Sequence, residues 1–207
     1  MNRRLLPGIL AMAIIVVASN ILVQHLYGKW LTYGAFTYPL AFLVTDLTNR
    51  LQGPSAARRV VVAGFVAGLI CSLIGSQIQG EFGPLVTLRV AIGSALAFLN
   101  GQLLDIFVFN RYRNTGWWKA PFFSTIIGST CDSIIFFTIA FAGFLTFLER
   151  ASDVSWAGEM LPLLDQGPVV PLWVSLATAD WMVKLAIAVI ALIPFRVIVA
   201  NFTKRVA

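Results

Sequence analysis

Long apolar runs, each closed by a short cluster of polar or basic residues, divide the chain into six stretches at about residues 5–27, 33–50, 59–79, 86–110, 120–148 and 170–196. Runs of this length match the roughly 20 residues that a helix needs to cross about 30 Å of hydrocarbon. In hydrocarbon every backbone N–H and C=O must find its partner inside the protein, so the pattern predicts helices. The punctuation agrees. Gly83-Pro84 precedes the fourth run, Pro121 falls in the first turn of the fifth, and Pro171 opens the sixth after Gly167-Pro168. Proline is tolerated in a first turn because its missing N–H has no partner there anyway. The expectation is an all-α membrane protein: one domain over residues 1–207, with six transmembrane helices.

Composition strengthens this reading. The chain is 58% hydrophobic and 12% charged, about half the usual share of charged residues, and its mean hydropathy is +0.84. Such a surface suits lipid. The net charge of +6 would fit a nucleic-acid partner only if the basic residues formed one patch. Instead they sit in short clusters between apolar runs. Arg3, Arg4, Arg50, Arg58, Arg59, Arg111, Arg113, Lys119, Arg196, Lys204 and Arg205 fall on one side, 11 of the 15 basic residues. Lys29, Arg89 and Arg150 fall on the other, beside Glu81, Glu149, Asp153, Glu159 and Asp165. By the positive-inside rule both termini are cytoplasmic, and no nucleic-acid partner is expected. Trp30, Trp117, Trp118, Trp156 and Trp173 lie near span ends, where an aromatic belt would sit.

Arg3 and Arg4 before an apolar run could open a signal peptide, but residues 5–27 are long for one and carry Asn20 and Gln24, so they read as a span. The external loop 149–167 contains Trp156, Met160, Leu161, Leu163 and Leu164, an amphipathic stretch suited to the membrane surface or to capping an external vestibule. Cys71 and Cys131 sit inside apolar runs and read as small hydrophobes, not as a disulfide. Phosphate-binding, zinc-protease and serine-hydrolase motifs are absent from the sequence, so an enzyme, a metal and a cofactor are not expected. The sole histidine, His25, falls near the outer interface and reads as solvated.

Five charges fall within the apolar runs: Asp46, Asp105, Asp132, Asp180 and Lys184. Each costs about 2.5–3.5 kcal/mol at a helix centre, so each needs a partner or a polar cavity. Asp46 lies one turn before Arg50, and an i,i+4 ion pair is the simplest reading. Asp105 pairs with Arg50 or Arg111, or else meets a ligand. Asp180 and Lys184 are also four apart; they neutralise each other, or Lys184 holds a second acid from another helix and couples occupancy to packing. Asp132 has no base within reach on its own helix and sits roughly 18 Å into the fifth run, near mid-membrane. Beside it Ser124, Gly128 and Asp132 repeat at four, as do Thr125, Ser129 and Ser133, forming a small polar stripe. Close helix packing explains the small residues; a solute or a coupling role explains the acid. Gly64, Gly68 and Gly75 mark a second close-packing face, and the two faces together leave room for a homodimer. Asn20 and Gln24 share a face of the first run, suited to solute contact or to interhelical bonding.

The segment Thr37-Tyr-Pro-Leu-Ala-Phe-Leu-Val-Thr-Asp46-Leu-Thr-Asn-Arg50 closely resembles the second-helix signature of the queuosine precursor transporter family, described as vitamin-uptake-transporter-like. The resemblance continues through Ser94-Ala-Leu-Ala-Phe98, Gln102-Leu-Leu-Asp105, Phe109-Asn-Arg111, Trp117-Trp118, Ser124-Thr125 and Asp132-Ser133, over about residues 20–145. The last run matches less distinctly, through Lys184 and Pro194. Leu51-Gln52-Gly53 departs from the aromatic and glycine that usually follow the family's second helix. The resemblance implies import of 7-cyano-7-deazaguanine or 7-aminomethyl-7-deazaguanine for tRNA modification, across a bacterial inner membrane. It also implies a bundle similar to the substrate-binding subunits of energy-coupling-factor vitamin transporters.

The residues accept this chemistry. The parallel N–H donors of a guanine edge match a carboxylate, and a planar base suits an aromatic wall. Asp132 is the expected anchor, with Ser129, Ser133, Asp105, Gln102, Asn20, Phe98 and Phe42 around the deazapurine. Asp46, Arg50, Asp180 and Lys184 are the ion-pair or coupling residues. Two alternatives remain: a subunit of an ATP-driven uptake complex, which would co-purify with an ATPase, and a structural membrane protein, which would show no solute-dependent thermal shift.

Overall fold

The computed structural model describes residues 4–81, 83–149 and 153–206. Arg3 and Arg150, counted above in the orientation argument, lie outside the described residues, as do the side chains of Lys204 and Arg205. The chain is helical, with α1 at Leu6–Leu22, α2 at Gly34–Thr37, α3 at Leu40–Gln52, α4 at Pro54–Gln77, α5 at Leu88–Tyr112, α6 at Lys119–Phe141 and α7 at Leu172–Val206. Among the described residues α4, α5, α6 and α7 are long and apolar enough to cross a membrane, and α1 is a shorter apolar helix. Their outer faces carry Ile14, Leu73, Phe107, Ile134 and Ile193, all strongly exposed. Side chains of this kind gain nothing from water and belong in hydrocarbon.

Four boundaries differ from the sequence expectation. The first run ends as a helix at Leu22, and Leu26–Tyr27 (β1) pairs with Leu31–Thr32 (β2) in a small hairpin. His25 is exposed there, as expected. The second run is divided at Tyr38-Pro39. Pro39 cannot donate a hydrogen bond, and Ala41 and Phe42 bond back three residues, to Tyr38 and Pro39, not four. The fifth run stops at Phe141 because Ala142 turns extended, and the fully buried Arg89 donates to the Ile139 and Ala142 carbonyls at 3.0 and 2.7 Å. A cation on those last carbonyls is a side-chain cap for α6. The last helix instead continues through Pro194 to Val206, a continuation tolerated within a membrane bundle.

The remaining loops gather in hairpins. Gln79–Gly80 (β3) pairs with Gly83–Pro84 (β4), and Met160–Pro162 (β5) with Val169–Pro171 (β6). The amphipathic loop folds as a hairpin preceded by a short turn at Ser155–Gly158. It sits on the bundle end. Trp156 packs edge-on to Phe141 at 5.6 Å, Leu172 N–H donates to Glu159 at 2.8 Å, and the exposed Asp165 pairs with Lys29 beside the first hairpin. Cys71 and Cys131 are free thiols, as the sequence reading expects.

Close packing explains the glycines. A Cβ on Gly64 would lie 2.6 Å from Met12 Cγ, and one on Gly75 would lie 2.5 Å from Val86 Cγ2. The α4 glycine face is thus filled by α1 and by the chain entering α5. A Cβ on Gly128 would lie 2.8 Å from the Gly101 carbonyl oxygen, and one on Gly101 would lie 2.9 Å from Asp132 Cβ. Gly64 and Gly75 on the first face and Gly101 and Gly128 on the second thus make close contacts within the chain. Because the atom facing Gly128 is backbone, Gly128→Ala should force α5 and α6 apart and destabilise the protein by about 1–3 kcal/mol. A thermal melt in detergent tests this; an unchanged midpoint would show that the two helices do not meet here.

Candidate substrate site

Three polar groups form inside the bundle, and the first is centred on Lys184. Its Nζ lies 2.7 Å from Asp132 Oδ2 on α6 and 2.6 Å from Asp180 Oδ2 on its own helix. It also donates to Ser133 Oγ at 2.9 Å, and Ser133 donates to Asp180 at 2.9 Å. Asp132 and Lys184 are 2% and 3% exposed. The two sequence alternatives for Lys184 therefore coexist: it pairs with Asp180 one turn away and holds a second acid from another helix. The reading of Asp132 as unpaired is corrected by the same contact. Its base comes from α7, at a sequence distance that helical spacing cannot reveal.

The other Asp132 oxygen accepts from Tyr38 OH at 2.8 Å. Tyr38 stands at the Pro39 break between α2 and α3, and Lys184 Nζ lies 5.2 Å from the centre of its ring. Sequence reasoning missed Tyr38 as a site residue. The signal was a tyrosine immediately before a proline inside an apolar run, where the helix must break and the hydroxyl must find a partner.

The second group is a cleft between α1, the α2–α3 break, α4 and α5, lined by Asn20, Tyr38, Gly68, Ser72, Ser94 and Phe98 among others. Tyr38 and Phe98 meet edge to face at 6.3 Å, so Tyr38 is the partition between the cleft and Asp132. The cleft holds ≈ 40 Å³, whereas small-molecule pockets run to about 300–1,000 Å³. In this conformation it is closed to a planar bicyclic base, and admitting one requires Tyr38 and Phe98 to move. Asn20, which lines the cleft, donates to the Val16 carbonyl of its own helix.

The third group lies toward the start of α6, about two turns before Asp132. Asp46 accepts there from Ser124 and Thr125, each at 3.1 Å. No ion pair joins Asp46 to Arg50 among the described residues. Arg50 instead donates to the Arg113 carbonyl at 2.9 Å and covers the Phe109 ring. Arg113 reciprocates by donating to the Asn49 and Arg50 carbonyls at 2.9 and 3.0 Å, capping α3. Asp46 faces the α6 hydroxyls because it is on the buried side of α3, whereas Arg50 reaches to the end of the bundle. The pairing of Asp105 with Arg50 or Arg111 is likewise not formed. Asp105 is fully buried, and among the described residues neither of its oxygens has a hydrogen-bond donor.

Gln102 accepts from Thr45 in this third group, and Phe42 packs at Gly128, one turn before Asp132. Ser129 bonds back to Ile126 of its own helix. Of the expected site, the structure brings Asp132, Ser133, Asp180 and Lys184 into one network. It sets Asn20 and Phe98 across Tyr38 from that network, and places Asp46, Asp105, Gln102 and Phe42 nearer the start of α6.

Similarity to known proteins coincides with this geometry. Residues 32–199, which contain all five intramembrane charges, match the family described as putative vitamin uptake transporter. The queuosine precursor transporter of Escherichia coli (strain K12) is 33% identical over 210 residues, covering 94% of this chain and 86% of that protein. A probable queuosine precursor transporter of Haemophilus influenzae is 33% identical over 84% of this chain and 70% of its own length. A third, from Bacillus subtilis, is 30% identical over 58% of this chain and 60% of its own length. No solved structure matches the chain. With apolar helices of membrane-spanning length and a charged network buried between them, the chain belongs to the putative vitamin uptake transporter family of multi-pass bacterial membrane proteins, alongside the queuosine precursor transporters.

Proposed function

We propose that the chain imports queuosine precursors, the deazaguanines that its relatives' names point to, and that Asp132 anchors the cargo. The observation that carries the anchor is the partition. A buried carboxylate, held by Lys184 and capped by the Tyr38 hydroxyl, stands behind a cleft lined by Asn20 and Phe98. If Tyr38 swings away, Asp132 Oδ1 loses one donor and accepts an N–H from the guanine edge in its place. The exchange leaves no buried acceptor unpaired, so it costs little in hydrogen bonding. Phe98 and Tyr38 then supply flat walls for the base. Purified protein in detergent should gain thermal stability with 7-cyano-7-deazaguanine and none with adenine, which lacks the guanine donor edge; equal shifts with both would remove the anchor.

In the same proposal the helices make six crossings with both termini cytoplasmic, in a bundle of the kind found in energy-coupling-factor substrate-binding subunits. The basic ends at Arg50, Arg58, Arg59, Arg111, Arg113 and Arg196 support this orientation. Reporter fusions after residue 114 should score cytoplasmic and those near residue 160 external. The reverse pattern would overturn the orientation.

A further inference from the structure

We propose that Asp46 and Asp105 form a carboxyl pair that binds one proton and couples its movement to import; the coupling rests on the transport reading above, the proton site does not. Both acids are buried, at 2% and 0% exposure, on α3 and α5. Thr45, next to Asp46, bonds Gln102 one turn before Asp105, and a Cβ on Gly128, one turn after the Ser124 that donates to Asp46, would lie 3.1 Å from Asp105 Cβ. Asp46 is satisfied by the Ser124 and Thr125 hydroxyls. Neither Asp105 oxygen has a hydrogen-bond donor among the described residues. Gln102, fully buried one turn before Asp105 and bonded to Thr45 beside Asp46, leaves its Nε2 unpartnered. This is an unfinished hydrogen-bond network around two acids.

Among the described residues no cation is placed to complete it. On α3, Arg50 is engaged by the Arg113 carbonyl and the Phe109 ring. Arg113 is spent on the α3 carbonyls, and Arg58 and Arg59 of α4 are exposed. From α6 the facing groups are hydroxyls, and where α7 meets Asp46 it presents Ala188, Ala191, Leu192 and Phe195. Lys184 is held by Asp132 and Asp180 in the other network. Two carboxylates this close in a low dielectric cannot both stay ionised, and one proton between them supplies the donor that Asp105 lacks: Asp46 O–H donates to Asp105. The cycle balances simply. One proton enters the pair with the cleft open outward and leaves to the cytoplasm as the solute is released, so one positive charge moves inward with each neutral solute.

Infrared spectroscopy of the purified protein at neutral pH, which needs no cargo, tests the proton site. A protonated-carboxyl carbonyl band that shifts in heavy water is expected, absent from Asp105→Asn and Asp46→Asn and retained in Asp132→Asn. No such band in the wild-type protein, or one that survives in both pair variants, overturns the site. In proteoliposomes, one pH unit, acidic outside, should accumulate 7-cyano-7-deazaguanine about tenfold through the wild-type protein, with matching internal acidification. The Asp105→Asn protein should not accumulate it. Uptake through wild type that ignores the gradient overturns the coupling while leaving import intact; absent uptake with the band present would contradict the cargo, not the proton site.

Discussion

Replacing Lys184 with methionine is expected to destabilise the folded protein by about 3–5 kcal/mol, the usual result of removing one partner from a buried charge pair. Among the described residues Lys184 is the sole base in its network. It holds Asp132 of α6 and Asp180 of α7 within 2.7 Å and takes Ser133 as a third acceptor. Methionine fills a similar volume, so the loss is electrostatic and not a cavity. Two acids then remain side by side without a cation, and the α6–α7 contact becomes repulsive. Loss of monodisperse protein from detergent extracts would show this. The double variant Asp132→Asn with Lys184→Met should recover much of the loss, because it removes the acid that α7 no longer neutralises. Equal instability of the single and double variants would mean that Lys184 acts through packing alone.

Asp132→Asn by itself should act on binding more than on folding. Lys184 keeps Asp180 at 2.6 Å, so no cation is orphaned. Asparagine replaces one acceptor with an NH₂ that faces a donor, whether that donor is Tyr38 or the guanine edge. Losing a charge-assisted contact of this kind costs about 2–5 kcal/mol, or roughly 30-fold or more in affinity. Isothermal calorimetry on protein that melts like the wild type separates the two effects. Affinity within about twofold of wild type would show that Asp132 is a strut and not an anchor.

Much of the fold was legible because membrane helices advertise themselves through long apolar runs, which suffice to place α4, α5 and α7 to within a few residues at their starts. The α6 stripe was equally plain: Ser124, Thr125, Gly128, Ser129, Asp132 and Ser133 are all buried as the fourfold spacing requires. What failed were contacts between helices. Asp46 and Arg50 have good i,i+4 spacing, yet α6 offers Asp46 two hydroxyls and the α5–α6 loop offers Arg50 a carbonyl. Asp132 looked unpaired because its base is 52 residues away. Helical spacing describes neighbours on one helix, and a buried charge is under pressure to find a partner anywhere in the bundle. The end of α6 was misjudged for a similar reason. Residues 142–148 are apolar enough to continue the helix, and it is the distant Arg89 that takes its last carbonyls.

The central claim is import of a queuosine precursor, and queuosine in tRNA reports on it directly. Cells able neither to make the precursor nor to take it up should be given this chain and external 7-cyano-7-deazaguanine, and their tRNA examined for the modified base. The account predicts queuosine in tRNA when both chain and precursor are supplied, and a sharp fall when the chain carries Asp132→Asn. Unmodified tRNA in cells that express the wild-type chain in their membrane, with the precursor present outside, would contradict it.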